Sequence, residues 1–446
     1  MTTLTPLEPW IKGKIGIPAT ELLRRSVLED YQLRKLQETI EYARRHSPFY
    51  RQQLVGCGVP FTLAELARFP FTFPTDLQEG ELRFLCVSRD KIERVVTLRS
   101  SGTTALPKRL HFTAEELELT IDFFHRGMAT LVEPGDKVLI LMPGDNPGSV
   151  GDLLVKGLQR LNVTGIVHGP VRDAEETLAV IAANKINSLV GLPGQVFALA
   201  RNPAVALLRQ KQIRSVLLSA DYVPDAVVRE IGRVWGCQVF NHYGMTEMGL
   251  GGGVDCRALT GYHLREADLY FEIVDPVEGF PIPDGETGEL VFTTLTRRGM
   301  PLIRYRTGDL TRFLPEHCSC GTVLRSLGHV RGRLSGRVRI NDALWLESAD
   351  LDEALYQIPA LIDYHAEMIY EEGLDTLALT LHMRDTCEEN ELHSARTAIE
   401  RIPAVRYGLA EGYLRLGTIR FGGVNFPSSG MTKKTIVDKR NGGTWQ

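Results

Sequence analysis

Cys237-Gln-Val-Phe-Asn-His-Tyr-Gly-Met-Thr-Glu247 is the stretch that decides the fold. Cys237–Phe240 reads as a short buried strand. The residues that follow set a hydroxyl, Thr246, and a carboxylate, Glu247, just past that strand's C-terminal end, where open α/β sheets hold their ligands. Similar apolar runs recur upstream at Lys137–Met142, Val163–Val167, Ile186–Leu192 and Ile213–Leu218. Helical segments such as Ala174–Asn184 and Asp225–Trp235 lie between them. Strands alternating with helices predict an α/β fold, a parallel sheet wrapped on both faces.

Further upstream, Thr113 and Glu116 form the pattern of a capping box, with Leu117, Ile121, Phe124 and Met128 on one helix face. Just before it runs Arg99-Ser-Ser-Gly-Thr-Thr-Ala-Leu-Pro-Lys-Arg109. Such a loop offers backbone N–H groups, hydroxyls and a cation to a phosphate, although it lacks the Gly-Lys-Ser/Thr close of a Walker loop. Downstream, Leu269–Val274, Glu289–Leu295 and Asp309–Leu314 predict a small β-rich subdomain. Arg304-Tyr-Arg-Thr-Gly-Asp309 sets a carboxylate behind a glycine turn. Past Arg333 the chain reads as a compact α+β unit, with helices at Ala349–Tyr356 and Glu389–Glu400 and strands at Thr376–Met383 and Arg415–Phe421. The expected boundary lies near Gly332–Gly336, giving a domain at 1–333 and a small α+β domain at 334–446.

Composition narrows the class. With 446 residues, 43% of them apolar, the chain supports a large core and more than one domain. A net charge of −4 with no polybasic run argues against nucleic acid as a partner. No apolar run is long enough to span a bilayer, so no membrane partner is expected. Met1–Lys14 lacks the order of a signal peptide, and seven cysteines spread over so long a chain do not suggest a disulfide framework. The expected location is the cytoplasm.

Taken in order, the Ser/Thr-rich loop, the Tyr-Gly-x-Thr-Glu segment, the Thr-Gly-Asp segment and Gly332-Arg333 resemble the adenylate-forming superfamily. Within it, Ser47-Pro-Phe-Tyr-Arg51, Glu286–Thr296 and Met300–Arg306 are similar to the phenylacetate-CoA ligase-like branch. The resemblance implies ATP-dependent activation of a carboxylic acid as an acyl-adenylate, then transfer to CoA. It also implies roles. Ser100, Ser101, Gly102, Thr103, Thr104 and Lys108 would hold the β- and γ-phosphates. Thr246 would touch the α-phosphate, and Glu247 would ligate Mg²⁺. Asp309 would take the ribose hydroxyls, with Arg333 as a second contact. Ser219-Ala220-Asp221 would stand at the adenine, and Tyr243, Gly244 and Met245 would line the nucleotide with Tyr243 packed on the base.

The chain departs from the family pattern at several places. Ala105 replaces a loop glycine, and Ser335-Gly336 replace two hinge aspartates. Near the C-terminus an ungapped match puts Thr432 where the family's lysine stands, so Lys433 is the expected catalytic lysine and Lys434 the alternative. Pro143–Ser149 replaces the branch's aromatic, glycine-rich segment, so phenylacetate itself is not assigned as the acid.

Cys256, His263, Cys318 and Cys320 make a sound tetrahedral set for a structural Zn²⁺, brought from segments that neighbour each other in the fold the resemblance implies. Alternatives to the CoA ligase are an adenylating enzyme with a different acceptor and a nucleotide-binding protein with a decayed site. The oligomeric state stays open, a homodimer included.

Overall fold

A computed structural model describes residues 3–98, 106–341, 344–384, 389–422 and 434–440. The chain divides into two compact units. The first comprises Met1–Asp136, Pro143–Val167 and Phe240–Val330, and the second Lys137–Met142, His168–Val239 and Arg331–Gln446.

In the second unit, strands Lys137–Ile140, Ser188–Gly191 and Ser215–Leu218 pair in parallel. Every residue of the last two is buried, which is why they read as continuous apolar runs instead of alternating ones. Helices Ala174–Asn184 and Asp225–Trp235 begin and end where the sequence places them. Beyond Arg333 lie the helix Ser348–Leu355 and a four-stranded sheet in the order Leu414–Gly422, Leu374–Met383, Leu361–Glu371, Val437–Asp438. Helices Glu389–Glu400 and Pro403–Ala410 accompany that sheet. The fold class is α/β, as expected.

The first unit opens with helices that the sequence reading did not pick out, chiefly Leu7–Lys14 and Arg25–His46. Arg94–Leu98 and Lys108–Phe112 form an antiparallel hairpin whose pairing ends at Leu98↔Lys108. The serines and threonines of the phosphate-type loop, Ser100, Ser101, Thr103 and Thr104, lie with Gly102 outside the described residues. The helix Ala114–Met128 carries the expected capping box, Thr113 Oγ1 accepting from Glu116 N at 3.3 Å and Glu116 returning the bond to Thr113 N at 3.0 Å.

The expected β-rich part is an antiparallel sheet of Leu269–Val274, Gly288–Thr294 and Tyr305–Thr311. Its last strand starts four residues before the predicted Asp309, so this carboxylate lies within the strand and not at its head. The register shifts opposite Glu289–Val291, and Gly308 takes φ +73° at the irregularity. A side chain resists that backbone angle, which explains the glycine. Among the described residues, no helix is long and apolar enough to cross a membrane.

After the strand Gln238–Tyr243 the chain turns through Gly244 and returns as Gly253–Asp255, with Gly252 N donating to Tyr243 O at 2.9 Å. A Cβ on Gly244 would lie 2.2 Å from Leu250 O. Gly244→Ala should therefore destabilise the protein by ~1–3 kcal/mol. Thermal unfolding measures this, and an unchanged melting temperature would refute the close-approach account.

Candidate functional site

The first unit brings Lys108, Tyr243, Gly244, Met245, Thr246, Glu247 and Asp309 to two connected clusters of buried polar groups. The residues Thr246–Met248 form a single 3₁₀ turn, which sinks Glu247 to 2% exposure. Lys108 Nζ, on the hairpin, lies 2.5 Å from Glu247 Oε1, and Tyr305 OH donates to the same oxygen at 3.1 Å. Lys108 also reaches Tyr305 OH at 3.4 Å. A buried carboxylate needs such partners, because desolvation otherwise favours its neutral form.

Asp309 is held differently. Tyr243 OH donates to Asp309 Oδ2 at 2.7 Å, and Asp309 N donates to Thr307 Oγ1 at 3.0 Å. Thr307 Oγ1 in turn donates to Leu290 O at 2.7 Å, which pins the irregular segment to the neighbouring strand. Neighbouring Gly308 N donates to Glu289 Oε1 at 2.9 Å. The tyrosine hydroxyl thus orients the carboxylate that the sequence associates with ribose.

The remaining described candidates belong to the second unit. Ser219-Ala220-Asp221 follows the strand Ser215–Leu218, and Ala220 takes φ +74°, an uncommon angle for a residue with a side chain. Asp221 accepts from Tyr222 N at 2.9 Å and Lys434 N at 3.0 Å. Arg333 ends the short strand Gly332–Arg333. Lys433 lies outside the described residues. Lys434 is committed: its ammonium pairs with Asp363, donates to Tyr356 OH at 2.7 Å and sits 3.8 Å from the Tyr364 ring centroid.

Cys256, His263, Cys318 and Cys320 are all buried, and their ligand atoms lie within 4.8 Å of one another. Cys256 Sγ is 3.5 Å from Cys318 Sγ, and Cys320 Sγ is 3.4 Å from His263 Nε2. A tetrahedron with zinc–sulfur bonds of about 2.3 Å has edges of roughly 3.7 Å, so the set fits that ion. Ser326 Oγ lies 3.4 Å from His263 Nδ1, leaving Nε2 toward the sulfurs. Backbone N–H groups of Ala258 and Cys320 donate to Cys256 and Cys318 sulfurs at 3.3 and 3.5 Å. The four residues come from two separated segments, and only their chemistry marked them in the sequence.

Sequence reasoning missed Tyr305, although it lies inside a quoted motif. It also missed the polar tie around Asp255, a fully buried carboxylate. This accepts from Asn241 N at 2.8 Å and Asn241 Nδ2 at 3.1 Å, and meets His329 Nε2 at 2.8 Å. Buried carboxylates leave no periodic mark, so the sequence offered no signal for it.

Residues 90–295 match the family model described as AMP-binding enzyme. Those residues are similar to an AMP-binding enzyme domain. Around them, the chain is 28% identical over 378 residues to the phenylacetate-coenzyme A ligase of Thermus thermophilus, covering 82% of this chain and 84% of the relative. The phenylacetate-coenzyme A ligase of Pseudomonas putida is 29% identical, covering 81% and 83%. In fold, the protein is similar to 2-hydroxyisobutyryl-CoA ligase in complex with 2-HIB-AMP, with a TM-score of 0.80 at 21% identity, covering 95% and 94% of the two chains. The expected resemblance to the phenylacetate-CoA ligase-like branch of adenylate-forming enzymes holds over most of the chain.

One group inside the matched residues sets an acid limit on stability. His242 is half-buried with its ring Nε2 out of reach of solvent, and desolvation pushes the ring's pKa down from 6.5 to about 4. As pH falls through 6.5, the unfolded chain takes up a proton that the folded chain refuses until about pH 4. Stability should drop across that window by on the order of 3 kcal/mol. Melting curves from pH 7 to 4 should show a shallower slope in His242→Gln than in wild type; equal slopes would refute the assignment.

Proposed function

We propose that this protein is an AMP-forming acid–CoA ligase that activates a carboxylic acid with ATP and passes the acyl group to CoA. The observation that carries the reading is the pair of partnered carboxylates, Glu247 against Lys108 inside the match to the AMP-binding enzyme family and Asp309 against Tyr243 just past its end. A free carboxylate is a poor acyl donor, since its leaving group would be oxide. Attack of its oxygen on the α-phosphorus of ATP expels pyrophosphate, and AMP is then displaced by the CoA thiol. The protein's task is positioning and charge balance.

The Asp309 carboxylate, oriented by Tyr243, is the group assigned to accept from the ribose hydroxyls. Within the first unit, Tyr243, Gly244, Met245 and Thr246 are the residues assigned to line the nucleotide; Ser219, Ala220 and Asp221 are assigned to the adenine, and Arg333 to the ribose. Glu247 is a hard oxygen donor suited to Mg²⁺, and Lys108 is a cation suited to the phosphates that Mg²⁺ accompanies. Ser100, Ser101, Gly102, Thr103 and Thr104 complete the phosphate loop. Lys433 is the catalytic lysine, a choice supported by the commitment of Lys434 to Asp363. Residues 1–333 serve as the nucleotide-binding domain and 334–446 as its lid. Dependence on ATP and CoA places the protein in the cytoplasm.

The test is pyrophosphate exchange across a panel of carboxylic acids, followed by CoA-dependent AMP release. Asp309→Ala should weaken ATP binding about ten- to a hundredfold, the loss expected for a hydrogen bond to a charged group. Exchange without CoA-dependent release would move the acceptor from CoA to another nucleophile. ATP binding with no exchange for any acid would support a decayed site.

Cys256, His263, Cys318 and Cys320 hold a structural Zn²⁺, with four protein ligands and no position left for water. Untagged protein should contain near-stoichiometric zinc, and Cys318→Ser should lower both zinc content and melting temperature. Metal-free protein of full thermal stability in chelator would sink this assignment.

A further inference from the structure

The Glu247 turn is anchored from behind by a residue outside every recognised motif. Arg297 follows the strand Gly288–Thr294 and is buried. Its Nη1 donates to Glu247 O at 2.6 Å, and its Nη2 donates to His111 O, on the hairpin strand that carries Lys108, at 3.4 Å. Its guanidinium lies 4.8 Å from the ring centroid of Phe112 on the same strand. Glu116, at the helix start, faces Arg297 Nε at 3.6 Å and accepts from Arg298 N and Gly299 N at 3.1 and 2.8 Å. Two residues beyond Glu247, where the turn ends, Thr120 Oγ1 donates to Gly249 O at 2.9 Å.

These bonds have a geometric consequence. A one-turn 3₁₀ segment leaves its carbonyls without helical partners, so it is not rigid by itself. The Arg297 fork supplies the missing donor at Glu247 and ties the same guanidinium to the Lys108 strand. The two ends of the Lys108–Glu247 pair are thereby referred to one fixed group. A lysine would carry the charge but lacks the planar fork that can serve two carbonyls at once.

We propose that Arg297 is a positioning residue that holds the Glu247 carboxylate in register with Lys108 for a divalent cation. The proposal rests on the reading of Glu247 as the Mg²⁺ ligand. Arg297 touches no substrate; it acts through the backbone of Glu247.

The experiment uses Mn²⁺ as the probe, titrated into the full chain with a non-hydrolysable ATP analogue, protein-bound Mn²⁺ being read from water-proton relaxation. Arg297→Met should weaken Mn²⁺ uptake about ten- to a hundredfold, the range typical when a group supporting a metal ligand is removed. Arg297→Lys should recover part of that loss, and analogue affinity in EDTA should stay at the wild-type value in both. In pyrophosphate exchange, the Mg²⁺ concentration for half-maximal rate should rise while KM for the acid holds.

A merely structural arginine would lower the melting temperature and leave Mn²⁺ affinity alone, and that result overturns the proposal. If Arg297→Met does not fold, Arg297→Lys decides, and wild-type Mn²⁺ affinity in that variant overturns it equally. Wild-type protein that takes up no Mn²⁺ with the analogue overturns the reading of Glu247 itself, and the role of Arg297 with it. Uptake by wild type and Arg297→Met alike overturns only the role of Arg297.

Discussion

The arrangement depends on the partners given to Glu247 where it is buried. Taking a carboxylate out of water costs hydration that hydrogen-bonded and ionic partners have to offset. Lys108 and Tyr305 supply them by converging on one carboxylate oxygen. They come from a hairpin and from a separate sheet, so several features of the first unit have to be satisfied together. The hairpin must pair in its register, Gly244 must let the chain turn back under Leu250, and the strand from Tyr305 must present its ring at the turn. The constraint therefore fixes tertiary structure more than any single element does.

Two carboxylates at this site have been given different company, and the difference sorts their chemistry. Glu247 is balanced by an ammonium, so a divalent cation arriving with phosphates can take over the ammonium's role without leaving net buried charge. The lysine then has phosphate oxygens to turn to. Asp309 has a neutral phenol as its donor, and a carboxylate so held remains a strong acceptor for hydroxyls. On the proposed roles, charge stands where a cation would be exchanged, and neutral hydrogen bonding where a sugar would be held.

Much of this was legible from residue order. Helices Ala174–Asn184 and Asp225–Trp235 and the strand Leu269–Val274 stand where periodicity and caps put them, because their burial follows one face or one run. The strand through Asp309 was placed too late, since its irregular register at Gly308 answers to the neighbouring strand and is not written in local pattern. Arg297, Tyr305 and Asp255 were missed for a related reason. Each acts through partners distant in sequence, and a buried arginine or tyrosine reads locally like any surface or core residue. The Cys/His set was the opposite case, its ligand chemistry showing through spacings that carry no signature.

The departures from the family pattern are not spread evenly. In the first unit the described candidates keep their expected types, and the structure gives Lys108, Tyr243, Glu247 and Asp309 partners that suit their roles. Past Arg333 the pattern loosens at Ser335 and Gly336. A Cβ on Gly336 would meet nothing within 4 Å, so packing does not exclude a larger side chain there. Glycine at an uncrowded position gives the backbone more freedom than aspartate would. Lys434 is meanwhile held by Asp363 and two tyrosine rings, with its own N–H on Asp221. The same Asp221 stands in the segment associated with adenine. The C-terminal chain is therefore tied to the nucleotide segment of its own unit by a fixed lysine, while the link after Arg333 has lost two charges. On the proposed reading, divergence of that kind spares the described residues assigned to ATP and bears on the later step, in which the acceptor meets the adenylate.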